Sequence, residues 1–433
     1  MTLTFIGHGY VGLVTACVFA DFGNEVYVLG HSPEKIDKLK KGNPIIYEPG
    51  LEELLKRNLI AGRIKFTLDY KDCISKSDII FIAVGTPMSS NGEADLTSVF
   101  DVTEKISNHL KNGYTVVACK STVPVGTNNK IRDMINKNIT SKKIEFDVAS
   151  CPEFLREGSA VNDTFNPDRI VIGIDSKRAR DLLLELHKPI NGKRITTNIA
   201  SAEITKYASN AMLATKISFA NLFSEFSEKT GADVEAIMTA VGLDKRIGRS
   251  FLYPGIGFGG SCLPKDVNAL VHITEQHGVD SSLFKSINKI NIQARERFIN
   301  KVISNVKLGS RICIWGLSFK PNTDDIREAP SIYIIRELLN KGYKLNVYDP
   351  VSLDNVKKVF KDKISYFENQ YKALKDCAGL CILTEWNQFK EADFKKVKKY
   401  LKNVIIFDGR NIYDPSWMKS LGFKYLSVGR SLL

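Results

Sequence analysis

Between Phe258 and Asp266 the chain reads Phe258-Gly259-Gly260-Ser261-Cys262-Leu263-Pro264-Lys265-Asp266, which sets a thiol, an ammonium and a carboxylate within one short turn. The thiolate is the nucleophilic form of cysteine, and a nearby cation such as Lys265 favours it. A reduced intracellular cysteine is more often a small buried hydrophobe. The glycine-rich, polar surroundings of Cys262 fit that reading poorly, and the glycines let the backbone approach a bound molecule. Cys262 is therefore the candidate nucleophile.

A second constellation stands at the start of the chain. Residues 3–6 predict a buried strand, Gly7-His8-Gly9-Tyr10-Val11-Gly12 a turn, the apolar run to Phe22 a helix, and residues 25–29 a second strand. In this setting the first glycine makes a tight turn, the second lets the chain approach a pyrophosphate, and the third lets helix and strand pack closely. Dinucleotide sites usually end the second strand with Asp or Glu to hold the adenosine ribose. Here that position is Gly30, followed by His31, Ser32 and Lys35. Losing the carboxylate removes a charge that repels a 2′-phosphate, which His31, Ser32 and Lys35 are placed to receive. NAD is the expected cofactor and NADP the alternative.

The elements that must hold these residues follow in order. Strands are expected at 78–84, 115–119, 146–149 and 169–174, with turns Gly85-Thr86-Pro87 and 120–127 at carboxyl ends, where open parallel sheets bind ligands. Glu153 and Glu157 are four apart, sharing a face if helical and otherwise ordinary solvated carboxylates. Residues 201–229 predict one long helix, with Ser201 as N-cap and Gly231 as stop. Its apolar positions run all round, as in a helix buried between domains. Lys206 and Asn210 share one of its faces, although a lysine there is ordinarily exposed. From Ser310 a second α/β unit begins, with strands at 311–315, 344–348, 379–384 and 404–408 and a helix at 329–341. The expected fold class is α/β, with two Rossmann-like doubly wound parallel-sheet domains (1–200 and 306–433) joined by a long central helix and a helical middle domain (201–305). A cleft between domains is the expected substrate site.

Composition narrows the partners. A 433-residue chain exceeds one ordinary core, and 43% hydrophobic with 25% charged residues suits a soluble globular protein. A net charge of +13 suits an anionic ligand. The lysine-rich run at 390–402 alternates at helical spacing, as a solvated helix face does, and no nucleic-acid motif accompanies it. The eight cysteines lack paired metal-ligand spacing, and Cys377 and Cys381 have no second pair, so no metal is expected and a reducing cytoplasm fits best. The first twenty residues carry no Lys, Arg, Asp or Glu, yet there is no basic n-region and glycines at 7, 9 and 12 interrupt the apolar run. No membrane span is expected.

The motifs GHGYVG (7–12), YEPGL (47–51), VGTP (84–87), STVPVGT (121–127), PEFLREGSA (152–160) and NPDRIVIG (166–173) continue with KYASNAMLATKISFAN (206–221), GLDKRIG (242–248), GFGGSCLPKD (257–266) and FKPNTDDIREAP (319–330). In this order, over almost the whole chain, the sequence resembles the nucleotide-sugar dehydrogenases of the UDP-glucose/GDP-mannose family, and most closely their UDP-glucose branch. The resemblance implies an NAD-dependent four-electron oxidation of UDP-glucose at C6 to UDP-glucuronate. By the same resemblance Cys262 forms a thiohemiacetal and then a thioester. Asp266 positions or activates the hydrolytic water with Thr122 and Glu157, while Lys206 and Asn210 stabilise the oxyanion.

The family's NAD contacts match Gly7, Gly9, Val11, Gly12, Lys35, Thr86, Thr122, Lys265 and Arg327. Its sugar-nucleotide contacts match Glu153, Phe154, Leu155, Arg156, Lys206, Asn210, Phe251, Leu252, Tyr253, Pro254, Gly255, Gly259 and Lys320. Arg246 matches a residue that reaches a neighbouring subunit's site, which implies at least a homodimer. Within the family the alternatives are GDP-mannose or a UDP-N-acetylhexosamine as substrate. A two-electron hydroxyacid dehydrogenase would need neither Cys262 nor the second α/β unit, and a non-catalytic nucleotide-sugar-binding protein could lose the thiol.

Overall fold

A computed structural model of the chain describes residues 1–89 and 91–430. The chain divides into two compact units, Met1–Ser209 and Asn210–Leu433.

The first unit is built on an eight-stranded sheet. In chain order its strands are β1 (Thr2–Ile6), β2 (Glu25–Leu29), β3 (Ile64–Thr67), β4 (Ile79–Ile82), β5 (Gly113–Cys119), β6 (Ile144–Ser150), β7 (Arg169–Gly173) and β8 (Lys193–Thr197), arranged β3-β2-β1-β4-β5-β6-β7-β8. Alternation along each strand divides the core. Leu3, Phe5, Ile79 and Phe81 pack on one face and Ile6, Ile80, Ile82 and Val117 on the other. The helix Tyr10–Asp21 is buried from Gly12 through Ala20, which accounts for the apolar run in this part of the chain. One pairing departs from the expected parallel sheet: β7 runs antiparallel to β6, meeting it at Ser150↔Gly173. The intervening chain forms a loop and the short helix Ala160–Phe165, which return it in the opposite direction.

The second unit carries four helices, Val234–Leu243, Leu263–Gln276 and Ser282–Ile303 besides most of Ile199–Thr230, before its own sheet. The sheet's strands are β9 (Arg311–Trp315), β10 (Lys344–Tyr348), β11 (Ser365–Tyr366), β12 (Leu380–Ile382), β13 (Ile405–Asp408) and β14 (Lys424–Ser427), in the order β11-β10-β9-β12-β13-β14 and parallel throughout. The first six strands of the first sheet show the same permutation, with the strand order reversing beside the first strand of each. That reversal opens a crevice for a ligand.

The long helix corrects two expectations. It begins at Ile199, and the Asn198 side chain, accepting the Ser201 amide at 2.8 Å, does the capping assigned to Ser201. It is not buried all round, because Met212, Phe219, Leu222 and Phe226 are exposed. The lysine-rich run forms the helix Phe394–Tyr400, which buries Phe394 and Val397 and leaves its lysines in solvent. Among the described residues no helix is long and apolar enough to cross a membrane.

Candidate active site

In the first unit the glycine turn lies at the head of the helix Tyr10–Asp21. Gly7 has φ 119°, and a Cβ there would strike the Ala83 carbonyl oxygen at 2.3 Å. A Cβ on Gly12 would lie 2.0 Å from the Gly7 carbonyl oxygen, so this glycine permits the close packing of helix on turn. Gly9 differs: a Cβ there would meet nothing within 4 Å, and as N-cap it offers no side-chain cap to the helix amides. An open helix head of this kind receives a pyrophosphate. Val11 follows in the first turn, and Thr86 joins the neighbouring strand ends by donating from Oγ1 to the Thr122 carbonyl at 2.9 Å. These residues fit a dinucleotide. Lys35 lies exposed in the helix Pro33–Lys40 beyond β2.

Also in this unit, residues 151–156 form a loop, so the four-residue spacing of Glu153 and Glu157 does not express a helix face. Glu153 accepts the Leu155 amide at 2.8 Å and meets Lys206 Nζ at 3.1 Å, with the two side chains only 9% and 5% exposed. The Lys206 ammonium also stands 5.3 Å from the centre of the Phe154 ring, whose face carries the Arg169 guanidinium at 3.8 Å. Arg156 is tied to Asp163 by a forked pair at 2.8 and 2.6 Å. Phe154, Leu155 and Arg156 line one side of a cavity of 280 Å³ with Lys120 at its wall. Lys120 is buried, which lowers its pKa despite the nearby Cys151 and Glu153.

Two carboxylates missed by sequence reasoning brace these loops. Glu48 of the YEPGL stretch accepts the Gly158 and Ala160 amides, both at 2.6 Å, and so fixes the chain next to Glu157. Glu203 accepts the Gly126 and Asn128 amides at 2.8 and 2.9 Å and fixes the loop that carries Thr122. Their signal in sequence was a carboxylate in an otherwise apolar or turn-forming segment.

In the second unit Cys262 is the N-cap of the fourteen-residue helix Leu263–Gln276. It is the exposed member of the eight cysteines; the other seven are buried, and none is disulfide-bonded. Burial pushes the Cys17 and Cys119 thiols up to about 12, so these stay protonated at neutral pH. A helix head instead favours negative charge, which is what a nucleophilic sulfur requires. Asp266 lies one turn along, 1% exposed, and closes that turn through its amide to the Cys262 carbonyl at 2.9 Å. Its carboxylate accepts Asn210 Nδ2 at 2.5 Å on one oxygen and pairs with Lys265 Nζ at 2.6 Å on the other.

The cysteine loop is held from three directions within the unit. Asn291 and Arg295 bind the Phe258 carbonyl at 3.0 and 2.8 Å, and Asn291 also accepts the Phe258 amide at 2.8 Å. The Gly260 amide donates to the Arg327 carbonyl at 2.9 Å. A Cβ on Gly259 would lie 2.3 Å from the Glu328 carbonyl oxygen, so this glycine is needed for packing against the segment that carries Lys320 and Arg327. The Phe251–Gly255 stretch is anchored by Asn221, which accepts the Gly255 amide at 2.8 Å, and by Arg410, which donates to the Gly257 and Phe319 carbonyls at 3.2 and 3.3 Å. Within it Leu252 is buried and Tyr253 exposed, the latter facing Arg249 at 4.6 Å. Arg327 forks onto Asp325, Lys320 lies 5.5 Å from the Phe319 ring, and Arg246 forks onto Asp244 with its side chain 89% exposed. The structure thus gathers Cys262, Lys265, Asp266 and Asn210 in one unit and Glu153, Phe154 and Lys206 in the other. Asn291, Arg295, Asn221 and Arg410 were legible only as polar residues in apolar surroundings.

Comparison with known proteins agrees in its coverage. The NAD-binding domain of the UDP-glucose/GDP-mannose dehydrogenase family matches residues 1–191, its central domain residues 200–293, and its UDP-binding domain residues 313–415. The chain is 45% identical over 431 residues to the UDP-glucose 6-dehydrogenase TuaD of Bacillus subtilis, covering 99% of this chain and 93% of that one. It is 40% identical to the UDP-glucose 6-dehydrogenase of Pseudomonas aeruginosa, covering 99% and 98%. The solved UDP-glucose dehydrogenase of the archaeon Pyrobaculum islandicum superposes with a TM-score of 0.90 at 36% identity, covering 99% and 96%.

Proposed function

Because the chain belongs to the UDP-glucose/GDP-mannose dehydrogenase family, we propose that it oxidises the C6 alcohol of UDP-glucose to the carboxylate of UDP-glucuronate through a covalent adduct on Cys262. Each sugar nucleotide and one water yield one acid and two reduced cofactors. NAD would be held by Gly7, Gly9, Val11 and Gly12 with Lys35, Thr86, Thr122, Lys265 and Arg327, and would supply the hydride acceptor for each of the two oxidations.

The chain's own residues do the rest. Lys206 and Asn210 stabilise the C6 oxygen as it gains negative charge, by preorganised donors. The Cys262 sulfur attacks the aldehyde carbon, forming a C–S bond that keeps the aldehyde from escaping and splits the path into easier steps. The second oxidation leaves a thioester. Water, held by Asp266 with Thr122 and Glu157, then attacks the carbonyl carbon, the C–S bond breaks, and the thiolate returns. Glu153, Phe154, Leu155, Arg156, the Phe251–Gly255 stretch, Gly259 and Lys320 hold the sugar nucleotide. The observation that carries this reading is the exposed thiol at a helix head with a buried carboxylate one turn away, braced by Asn210 and Lys265.

The reading extends to organisation: domains at 1–200, 201–305 and 306–433, a cytoplasmic location suited to eight thiols, and a homodimer or larger homo-oligomer in which Arg246 reaches a neighbouring site. The exposed stripe Met212, Phe219, Leu222 and Phe226 supports association through the long helix. A panel of UDP-glucose, GDP-mannose and UDP-N-acetylhexosamines, followed by nicotinamide reduction, tests the substrate. UDP-glucose is expected to give the highest kcat/KM by at least tenfold; preference for another sugar nucleotide would overturn the assignment.

A further inference from the structure

The end of β2 is built without the usual carboxylate, and neighbouring side chains occupy the place where one would begin. A Cβ on Gly30 would lie 2.6 Å from Ile36 Cδ1 and 2.9 Å from His8 Nδ1, so the place where an aspartate would start is already filled. His8 is 5% exposed, and its Nδ1 has no hydrogen-bond partner. Its ring lies 5.0 Å from that of His31. Burial, then the charges of His31 and Lys35, hold the His8 pKa down at about 4. The helix Pro33–Lys40 starts here with no side-chain cap from Ser32, and the acidic residue of its first turn, Glu34, is engaged by Lys38 at 2.7 Å. A buried, neutral imidazole therefore stands where the carboxylate would be, flanked by the exposed His31 and Lys35.

We propose that this corner accepts a 2′-phosphate, so that the protein binds 2′-phosphorylated dinucleotides at least as tightly as unphosphorylated ones. An aspartate here would accept the ribose hydroxyls and repel the phosphate; with the neutral His8 ring filling that place, the exposed side chains of His31 and Lys35 are left to do the reverse. The proposal rests on the reading of Gly7–Gly12 as the dinucleotide turn.

Calorimetry on the full chain with ADP-ribose and its 2′-phosphate separates the two, since neither carries nicotinamide and turnover plays no part. The expected result is a Kd for the 2′-phosphate equal to or below that for ADP-ribose. His31→Ala, a change at an exposed position, is expected to weaken the 2′-phosphate at least fivefold while ADP-ribose changes less than twofold. A Kd for ADP-ribose below that for its 2′-phosphate would overturn the proposal and leave the dinucleotide turn standing. Failure of both ligands to bind would overturn the dinucleotide turn itself.

Discussion

With Lys206 and Glu153 3.1 Å apart and nearly sealed from water, each charge depends on the other. Removing one partner of such a pair strands the remaining charge, at a cost of about 3–5 kcal/mol. Lys206→Ala is therefore expected to lower both the melting temperature and kcat, the latter by about 10²–10³-fold, the typical effect of losing an oxyanion donor. Adding Glu153→Ala is expected to restore much of the melting temperature but none of the turnover, and thermal unfolding beside steady-state assays separates the two roles. For Cys262→Ala the expectation is loss of acid formation with UDP-glucose binding retained by calorimetry; acid made at the wild-type rate would remove the thiol from the mechanism. His187 supplies a pH dependence. Buried beside the Phe19 ring, it has its pKa held down at about 4 against an ordinary 6.5. Protonation then favours the unfolded chain, so stability is complete above pH 6.5 and falls by about 3 kcal/mol as pH drops to about 4. Stability measured across this window is expected to lose part of that slope in His187→Phe.

At the scale of elements, the strands legible in sequence were those with unbroken apolar runs, such as β1, β4, β5 and β9. Those missed were β3, β8, β11 and β14, all at a sheet edge; lysines or arginines interrupt the pattern in β3, β8 and β14, and β11 is only two residues long. The long helix was legible in length and in its Lys206–Asn210 spacing. Its exposed Met212, Phe219, Leu222 and Phe226 were not, because periodicity cannot tell a buried apolar face from an unpartnered one. Cys262, Lys265 and Asp266 were legible from residue type and spacing; the loops around them were not, since their geometry is fixed by distant partners. Phe251, Asn322 and Glu328, in segments assigned to ligands, adopt positive φ of 66°, 62° and 51°, as do Lys361, Asp376 and Asn411 elsewhere in the second unit, a local cost met by the surrounding structure. Glu48→Ala is expected to leave the Gly158 and Ala160 amides without a carboxylate and to destabilise the first unit by about 2–4 kcal/mol, read from chemical denaturation.

Across the whole molecule, the same strand order serves two purposes. In the second sheet the aspartate that ends β10, Asp349, is buried and spends its carboxylate on the Leu317, Ser318, Val351 and Ser352 amides, so it is not available to a ribose. In the first sheet the corresponding position is Gly30, and the glycine turn keeps an open helix head. Two copies of one topology thus become a dinucleotide unit and a unit of another kind through a few residues at their strand ends, as ligand placement at such crevices requires. The oligomer is tested at this scale too: Phe219→Glu with Phe226→Glu is expected to shift the protein towards monomer in sedimentation, with the fold retained by circular dichroism. The central claim, a four-electron oxidation through one covalent adduct, is tested most directly by counting reduced cofactor against UDP-glucose consumed at completion. Two per sugar nucleotide is the predicted ratio; a ratio of one, with the aldehyde released, would contradict it.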